Sequence, residues 1–491
     1  MRNDLSFLVL FLLIIFSIHD HLVDASSLLV KYLPGFEGPL PFELETGYVS
    51  IGESGDVELF YYFVKSERNP KNDPLMIWLT GGPGCSSICG LLFANGPLAF
   101  KGDEYNGTVP PLELTSFSWT KVANILYLES PAGSGYSYAR TRRAFESSDT
   151  KQIYQIDQFL RSVKCSVCSV LVLWFVDHPE FISNPFYVGG DSFSGKIVPG
   201  VVQQISLGSL FNQPHSIVLG YVLGNPLTDK NLESNYIVSF AHGMGLISDE
   251  LFESLERSCE GQFFNVDPSN ARCSNNLQTF DHCMSEIYSE HILLRNCEVD
   301  YIIPETLQTL PNIRTNRRRE LKEFSGNDSS SLPPPSCFTY KYFLSAFWAN
   351  DENVRKALGV KKEVGKWNRC NIQNIPYTFE IFNAVPYHVN NSRKGFRSLI
   401  YRQDSLILPN YGDHDSMVPF SSTQAWIRAL NYSIVDDWRP WMMSNNQVAG
   451  YTRTYANKMT FATIKGGGHT AEYNPDQCSL MFRRWIDGEP L

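Results

Sequence analysis

A serine, two aspartates and a histidine lie in three glycine-containing stretches, in an order that suits nucleophilic catalysis. Ser192 lies in GGDSFSG, and further along the chain come Asp413 and Asp415 in YGDHDSMVP and His469 in IKGGGHTAEY. In a serine hydrolase the serine attacks a carbonyl carbon, the histidine takes its proton, and a carboxylate orients the histidine. α/β-Hydrolase folds carry the three in this order. Each residue alone has a plainer interpretation, because serines often cap helices and aspartates often form turns, but together they predict a hydrolase-type site.

The surroundings of Ser192 resemble a nucleophile elbow, with one irregularity. An apolar run, FYVGG, precedes the serine and a helical pattern, SGKIVPGVVQQIS, follows it, as in the strand-to-helix turn that exposes a nucleophile. The usual G-x-S-x-G requires a glycine where this chain has Ser194, and Gly195 comes one place late. A second glycine turn, GGPG (81–84), follows a predicted strand and is suited to bring backbone N–H groups to an oxyanion, although a tight turn without a ligand has the same sequence.

The elements that must position these residues alternate between strands and helices. Short apolar runs predict strands at 74–79, 124–129, 186–190, 216–226, 398–401 and 458–466, and helical patterns cover 150–163, 194–206 and 475–487. This alternation predicts βαβ units and a mostly parallel sheet. The alternation of strands and helices stops at 230–340, a stretch that is polar, cysteine-rich and helical in pattern. We therefore expect an inserted helical cap at 230–340, with the stretch 329–336 as an exposed connector, between two core segments at 26–229 and 341–491.

Six stretches resemble the signature blocks of plant serine carboxypeptidase-like proteins: WLTGGPGCSS, ESPAGSGYSY, GGDSFSG, GNPLTD, YGDHDSMVPF and GGGHTAEY. They span residues 78–473. The family's elbow pattern, G-[ED]-S-[YF]-[AS]-G, places its glycine at 195. The resemblance implies an α/β-hydrolase fold with a helical cap, with Ser192 as nucleophile, Asp415 as the acid and His469 as the base. It also implies an oxyanion hole made by the backbone N–H groups of Gly82 and Phe193, and no cofactor or metal.

Two positions favour acyl transfer over peptide cleavage. The family's carboxypeptidases read W-L-N-G-G and G-E-S, where the asparagine and glutamate help to hold a peptide's terminal carboxylate. This chain has Thr80 and Asp191, and a hydroxyl and a shorter carboxyl should weaken that grip. W-L-T-G-G with G-D-S is the pattern of the family's acyltransferase branch. We expect transfer of a hydroxycinnamoyl-type group from a 1-O-glucose ester to a small hydroxylated acceptor, with carboxypeptidase activity as the alternative.

Three segments depart from the family: 162–173, 207–220 and 402–410. The third matters most because it precedes Asp415, and a displacement of about an ångström in a catalytic group can cost about 100-fold in rate. If the strand ends at Tyr401 and the extra loop bulges outward, the triad geometry survives. If the strand shifts in register, it does not, and a non-catalytic binding protein becomes the further alternative.

The N-terminus and composition predict entry into the secretory pathway. A basic residue precedes LSFLVLFLLIIFSI (5–18), which is shorter than the roughly 20 residues of a membrane span, and residues 1–25 read as a cleaved signal peptide. The expected location is the cell exterior or the vacuole. The net charge of −10 argues against nucleic acid and anionic membrane surfaces as partners. Four sequons are candidate glycosylation sites: Asn106, Asn327, Asn390 and Asn431.

The 11 cysteines should mostly pair in that oxidising compartment. Cys165 and Cys168 form a lone C-x-x-C, which is weak evidence for a metal site without a second pair. The resemblance implies a bridge between Cys85 and Cys337. Spacing makes two further bridges plausible, one between Cys259 and Cys273 and one between Cys283 and Cys297, although eight paired cysteines allow 105 connectivities.

Overall fold

A large mixed β-sheet forms the centre of the molecule. A computed structural model describes residues 26–52, 54–160, 173–207, 218–297, 335–404 and 414–491. Among these residues the sheet has 12 strands: β1 (Ser26–Val30), β2 (Leu44–Ile51), β3 (Val57–Val64), β4 (Leu75–Leu79), β7 (Asn124–Leu128), β8 (Tyr138–Ala139), β10 (Phe186–Asp191), β11 (Val218–Gly224), β13 (Arg397–Asp404), β14 (Ile434–Met442), β15 (Val448–Tyr455) and β16 (Met459–Lys465). Their order across the sheet is β1-β2-β3-β7-β4-β10-β11-β13-β16-β15-β14, with β8 beside β3.

Smaller pairings and helices surround this sheet. Two ribbons are formed by β5 (Leu98–Phe100) with β6 (Leu112–Leu114), and by β9 (Ser147–Ser148) with β12 (Tyr377–Thr378). The α-helices among the described residues are α1 (Arg142–Phe145), α2 (Asp149–Leu160), α3 (Leu173–Asp177), α4 (Ser194–Leu207), α5 (Lys230–Gly243), α6 (Asp249–Cys259), α7 (Ala271–Met284), α8 (Tyr340–Asn350), α9 (Glu352–Ala357), α10 (Val385–Arg393), α11 (Phe420–Ala429) and α12 (Pro475–Asp487). None of them is long and apolar enough to cross a membrane.

The centre of the sheet is buried on both faces, as its strand sequences require. Side chains of a strand alternate between faces, and in β3 Phe60 and Tyr62 join one core cluster while Tyr61 and Phe63 join the other. All eight residues of β3 are buried. A strand covered on both sides reads as a continuous apolar run rather than an alternating one, which is the pattern VELFYYFV.

The parallel centre of the sheet brings the candidate residues to one edge. Strands β7, β4, β10, β11, β13 and β16 pair in parallel, and the flanking pairs are antiparallel. Gly81, Ser192 and His469 come within a few residues after β4, β10 and β16, and Asp415 comes in the connection after β13. Since parallel strands present their carboxyl ends at the same edge, the loops that follow them meet there.

Most of the predicted core elements are confirmed. The predicted strands correspond to β4, β7, β10, β11, β13 and β16, and the helix 475–487 has the predicted bounds. The six central strands pair in parallel as predicted. The sheet as a whole is mixed, because strands β1 to β3, β14 and β15 extend it with antiparallel pairs that the sequence does not predict. Strand β14 gives a weak pattern because it contains a proline and three register shifts, and most of its residues are at least partly exposed.

The segment 402–410 was wrongly separated from the strand before it. Strand β13 continues through Asp404, and Arg402 and Gln403 pair with Thr463 and Ile464 of β16. The first three residues of the supposed insert are therefore part of the central sheet, in register with their neighbour. Residues 405–413, with Asp413, lie outside the described residues, as do 161–172 and 208–217.

Helices α5, α6 and α7 lie between β11 and β13 in the chain and have a small core of their own. Its buried residues include Val238, Leu255, Cys259, Cys273 and Phe280. The helical character expected for this stretch is therefore present. The cap limits of 230–340 stay a prediction, since 298–334 lie outside the described residues.

Candidate active site

Ser192 occupies a sharp turn between β10 and α4. Its φ is 52°, a left-handed conformation that costs a residue other than glycine of order 1 kcal/mol or more. Two backbone hydrogen bonds hold it: its N–H donates to Gly224 O at 3.0 Å, and its carbonyl accepts from Leu227 N at 2.8 Å. Strand β11 and the loop after it thus fix the turn that presents Ser192, as in a nucleophile elbow.

Close packing explains why the elbow has its second glycine at 195. A Cβ on Gly195 would lie 2.5 Å from Pro226 Cβ and 2.7 Å from Leu227 O, so no larger residue fits beside that loop. Ser194 is tolerated because Gly190 makes room for it; a Cβ on Gly190 would lie 2.7 Å from Ser194 Cβ. The elbow needs a glycine wherever the helix start meets neighbouring backbone, and here that position is 195.

Ser192, His469 and Asp415 form one hydrogen-bonded chain. His469 Nε2 lies 2.8 Å from Ser192 Oγ, and His469 Nδ1 lies 2.7 Å from Asp415 Oδ2. An ionised carboxylate only accepts hydrogen bonds, so Nδ1 carries a proton and Nε2 is the acceptor from the serine hydroxyl. The three residues that the sequence selected are therefore brought together in the orientation needed for proton transfer.

The Asp415 carboxylate is wholly buried and fully hydrogen-bonded. Oδ1 accepts from the N–H groups of Met417 and Val418 at 2.9 and 3.1 Å, and Oδ2 accepts from Asn225 Nδ2 at 2.9 Å as well as from the histidine. Burial would raise the pKa of Asp415, but His469, the charge of Arg402 and the Asn225 amide outweigh it and lower the pKa. Burial would likewise lower the pKa of His469, and the attraction of Asp415 raises it instead.

Gln403 and Asn225 fix the loop that carries His469. Gln403 Oε1 accepts from Gly468 N at 3.1 Å, and its Nε2 donates to Thr470 O. Asn225 Nδ2 also donates to Gly468 O at 3.1 Å. Neither residue is singled out by its sequence pattern. Asn225 stands in the quoted block GNPLTD, but Gln403 lies in the stretch that was set apart as foreign.

The glycine turn lies directly against the elbow. A Cβ on Gly81 would lie 2.7 Å from Ser192 Cβ and 3.0 Å from Phe193 N. The turn is fastened there by Asp191, whose Oδ1 accepts from Gly81 N at 2.8 Å. Gly82 has a φ of +122°, which favours glycine. The two predicted oxyanion donors, Gly82 and Phe193, therefore lie on touching segments.

Glu129 fastens the other end of the same turn and was not singled out by its sequence. Its Oε1 accepts from Ser86 Oγ at 2.6 Å and from Tyr62 OH at 3.2 Å, and its Oε2 accepts from Ser87 N at 2.8 Å. Burial raises the pKa of Glu129 to about 7 against the lowering effect of these donors. Burial also raises the pKa of Asp191 to about 6, although Gly81 N–H and His469 oppose it.

The disulfides correct two of the three predicted pairs. Cys85 is bonded to Cys370 rather than Cys337, because residues 369–371 run antiparallel beside the glycine turn, with Ser86 N donating to Arg369 O and Asn371 N to Gly84 O. Cys337 is bonded to Cys297. Cys283, predicted to bond to Cys297, is instead an exposed free thiol on α7. The predicted bridge from Cys259 to Cys273 is present.

Among the described sequons, Asn106, Asn390 and Asn431 are exposed, so an added glycan would meet no buried surface. Asn390 Nδ2 donates to Gln203 Oε1 at 2.9 Å. Asn327, Cys165, Cys168 and the predicted signal peptide lie outside the described residues.

The fold is that of the α/β-hydrolase class. The model of the serine carboxypeptidase family matches residues 34–488, and the chain belongs to that family. It is 85% identical to serine carboxypeptidase-like 19 of Arabidopsis thaliana over all of both chains, and 50% identical to serine carboxypeptidase-like 13 of that plant, also over all of both. Kex1, a prohormone-processing carboxypeptidase of Saccharomyces cerevisiae, has the same fold, with a TM-score of 0.68, 18% identity and 94% of each chain covered.

The three disulfides found within the described ranges fit a protein of the secretory pathway.

Proposed function

We propose that this protein transfers an acyl group, of hydroxycinnamoyl type, from a 1-O-glucose ester to a small hydroxylated acceptor through an acyl-enzyme on Ser192. The observation that carries the serine chemistry is the hydrogen-bonded chain of Ser192, His469 and Asp415, with distances of 2.8 and 2.7 Å. A serine hydroxyl becomes a nucleophile when a neighbouring base can take its proton and a third group orients that base.

In the first half-reaction Ser192 Oγ attacks the ester carbonyl and His469 Nε2 takes the hydroxyl proton. The N–H groups of Gly82 and Phe193 hold the oxyanion. The tetrahedral adduct collapses, the bond to the glucose oxygen breaks, and His469 returns the proton to that oxygen. In the second half-reaction His469 takes the proton of the acceptor hydroxyl, whose oxygen attacks the acyl carbon. The bond from that carbon to Ser192 Oγ then breaks, and His469 gives the proton to Ser192 Oγ, which restores the free enzyme. The acceptor must compete with water, so its orientation in the site decides between transfer and hydrolysis.

The preference for an ester donor rests on Thr80 and Asp191. Asp191 is 5% exposed, and its Oδ1 already accepts from Gly81 N. Thr80 Oγ1 is buried, with no hydrogen-bond partner among the described residues. Because both polar groups are buried and Asp191 already accepts from Gly81 N–H, they present little to a peptide's terminal carboxylate, which supports transferase over carboxypeptidase chemistry.

Carboxypeptidase activity is the second candidate, and one observation favours it. The pKa of Asp191 is raised to about 6, mainly by burial, and a carboxyl that holds a proton in mild acid can share it with a substrate carboxylate. The family name points the same way. Removal of C-terminal residues at acid pH would then be the reaction of the same serine.

One experiment separates these functions. The purified, glycosylated protein is incubated with sinapoylglucose and a panel of acceptor alcohols, and separately with a blocked dipeptide, with Ser192→Ala as the matched blank. We expect acyl transfer to at least one alcohol that exceeds peptide cleavage and vanishes in the variant. Peptide cleavage without transfer to any alcohol would overturn the proposal in favour of the carboxypeptidase. Absence of labelling by a fluorophosphonate in the folded protein would favour a non-catalytic binding role.

A further inference from the structure

Arg402 is a fully buried cation beside the predicted catalytic acid. It lies near the end of β13, and its side chain is 0% exposed. Nε donates to Thr423 Oγ1, Nη1 to Val418 O and Nη2 to Pro226 O, each at 2.8 Å. A buried guanidinium is tolerated only when its N–H groups and its charge are both satisfied. These bonds tie the strand to the loop before α11 and to the loop after β11.

The charge of Arg402 faces Asp415. Nη1 lies 3.8 Å from Asp415 Oδ2, the oxygen that also accepts from His469. Both partners are wholly buried, so water screens their attraction little. Arg402, Asp415 and His469 thus form a row in which a fixed positive charge stands behind the carboxylate that orients the base.

The other titratable groups around this row leave the attraction intact. Glu233 of α5 also faces Arg402, but it is 1% exposed and burial raises its pKa to about 8, so it is mostly neutral in neutral and acid solution. His291 faces Asp415, and burial lowers its pKa. Glu290 and Asp191 face His469 and favour its protonated form. Of these carboxyls, Asp415 is the one whose oxygen contacts both the guanidinium and the imidazole.

We propose that Arg402 is a positioning residue of this site, which fixes the Asp415 loop and offsets the negative charge of Asp415 so that His469 stays available as a base in more acidic solution. The inference rests on the proposed serine chemistry but not on which acyl donor or acceptor is used. Arg402 is the first residue of the segment 402–410, which departs from the family pattern in the sequence.

Charge determines the direction of the expected effect. Without the guanidinium, the pair of Asp415 and His469 holds its shared proton more tightly, whichever member carries it. An opposite charge within about 4–6 Å lowers the pKa of a carboxyl by about one unit or more, so losing the guanidinium 3.8 Å from Asp415 should tighten proton binding by the pair by about that much. The acid limb of the reaction rate should therefore move up by about one pH unit when Arg402 loses its charge, and at a pH below the original midpoint the rate should fall about tenfold.

The test is the rate of fluorophosphonate labelling of Ser192, measured from pH 4 to 8 on the glycosylated full chain. Arg402→Met removes the charge, and Arg402→Lys keeps it. Thr423→Val is the matched control, because it removes a hydrogen-bond partner of Arg402 and leaves every charge in place. We expect the midpoint of the acid limb to rise in Arg402→Met alone, while all three variants lose some thermal stability.

Two outcomes overturn the inference: an unchanged midpoint in Arg402→Met, or an equal rise in Thr423→Val, which would make the effect one of packing. If Arg402→Met does not fold, Arg402→Gln replaces it. If neither folds, Arg402→Lys decides, since a shifted midpoint with the charge retained refutes the electrostatic role. A wild type that labels but transfers no acyl group refutes the proposed function and leaves this inference standing. A wild type that does not label refutes both.

Discussion

Glu129 gives a prediction in which stability and pH are linked. The perturbation is Glu129→Gln, which keeps the shape of the side chain and removes its charge. Ser86 Oγ accepts from Trp367 Nε1 and Ile88 N, at 3.1 and 3.2 Å, so its own proton must point to Glu129. The three donors on Glu129 therefore occupy both of its oxygens, and an amide in either orientation would direct an N–H group at another donor.

The magnitude follows from the pKa. The carboxyl has an ordinary pKa of 4.5 and a folded-state pKa of about 7, raised by burial. The folded state thus binds a proton more tightly than the unfolded chain does, and its stability is fully present below pH 4.5 and is lost as the pH rises to 7. At about 1.4 kcal/mol per pH unit the loss is about 3 kcal/mol. Glutamine does not titrate, so the variant should gain about that much relative to the wild type between pH 4.5 and 7.5.

The assay is urea unfolding of both proteins at pH 4.5 and pH 7.5, followed by tryptophan fluorescence. Ser137→Ala is the control, because its hydroxyl donates to Glu129 O at 2.7 Å and its loss leaves the carboxyl untouched. We expect a pH-independent offset for Ser137→Ala and a pH-dependent difference for Glu129→Gln. The variant should also label with fluorophosphonate about tenfold more slowly, since the mismatched amide loosens the oxyanion turn. Parallel stability curves for the wild type and Glu129→Gln would refute the reasoning.

Three further changes test other parts of the structure. Asp415→Asn should lower turnover by up to about 10⁴-fold through the wrong histidine tautomer, whereas Asp413→Asn should change it little; the reverse result would exchange their roles. Gly195→Ala should slow serine labelling and lower the melting temperature, because its Cβ would meet Pro226 and Leu227, while Gly365→Ala, with nothing within 4 Å, is the neutral control. Replacing Cys259 and Cys273 together by serine should cost about 3 kcal/mol of stability for a bridge of this span, and Cys283→Ser should cost almost nothing, since that thiol is exposed and free; equal melting temperatures for the two would contradict the pairing.

The sequence alone predicts those elements and motifs whose residues lie close together in the chain. Short apolar runs predict strands β4, β7, β10 and β16, and a helical pattern that starts at a proline predicts α12. The serine, aspartate and histidine stretches were recognisable because turn residues and glycines surround them in fixed order. Strand β3 carries an equally clear apolar run and was overlooked. Strand β14 pairs irregularly at the edge of the sheet, and its sequence therefore shows no clear strand pattern.

Contacts between distant parts of the chain could be decided only by the tertiary structure. Cys85 takes Cys370 as its partner, 285 residues away, because the fold lays that segment beside the glycine turn. Gln403 and Arg402 look like part of an insertion in the sequence, yet register with β16 places one on each side of the strand, toward the His469 loop and the Asp415 loop. By itself the sequence determined the family, the order of the reacting residues and the central strands, since these are written in local patterns. Which side chains hold those residues in place depends on packing and strand register, which no local pattern records.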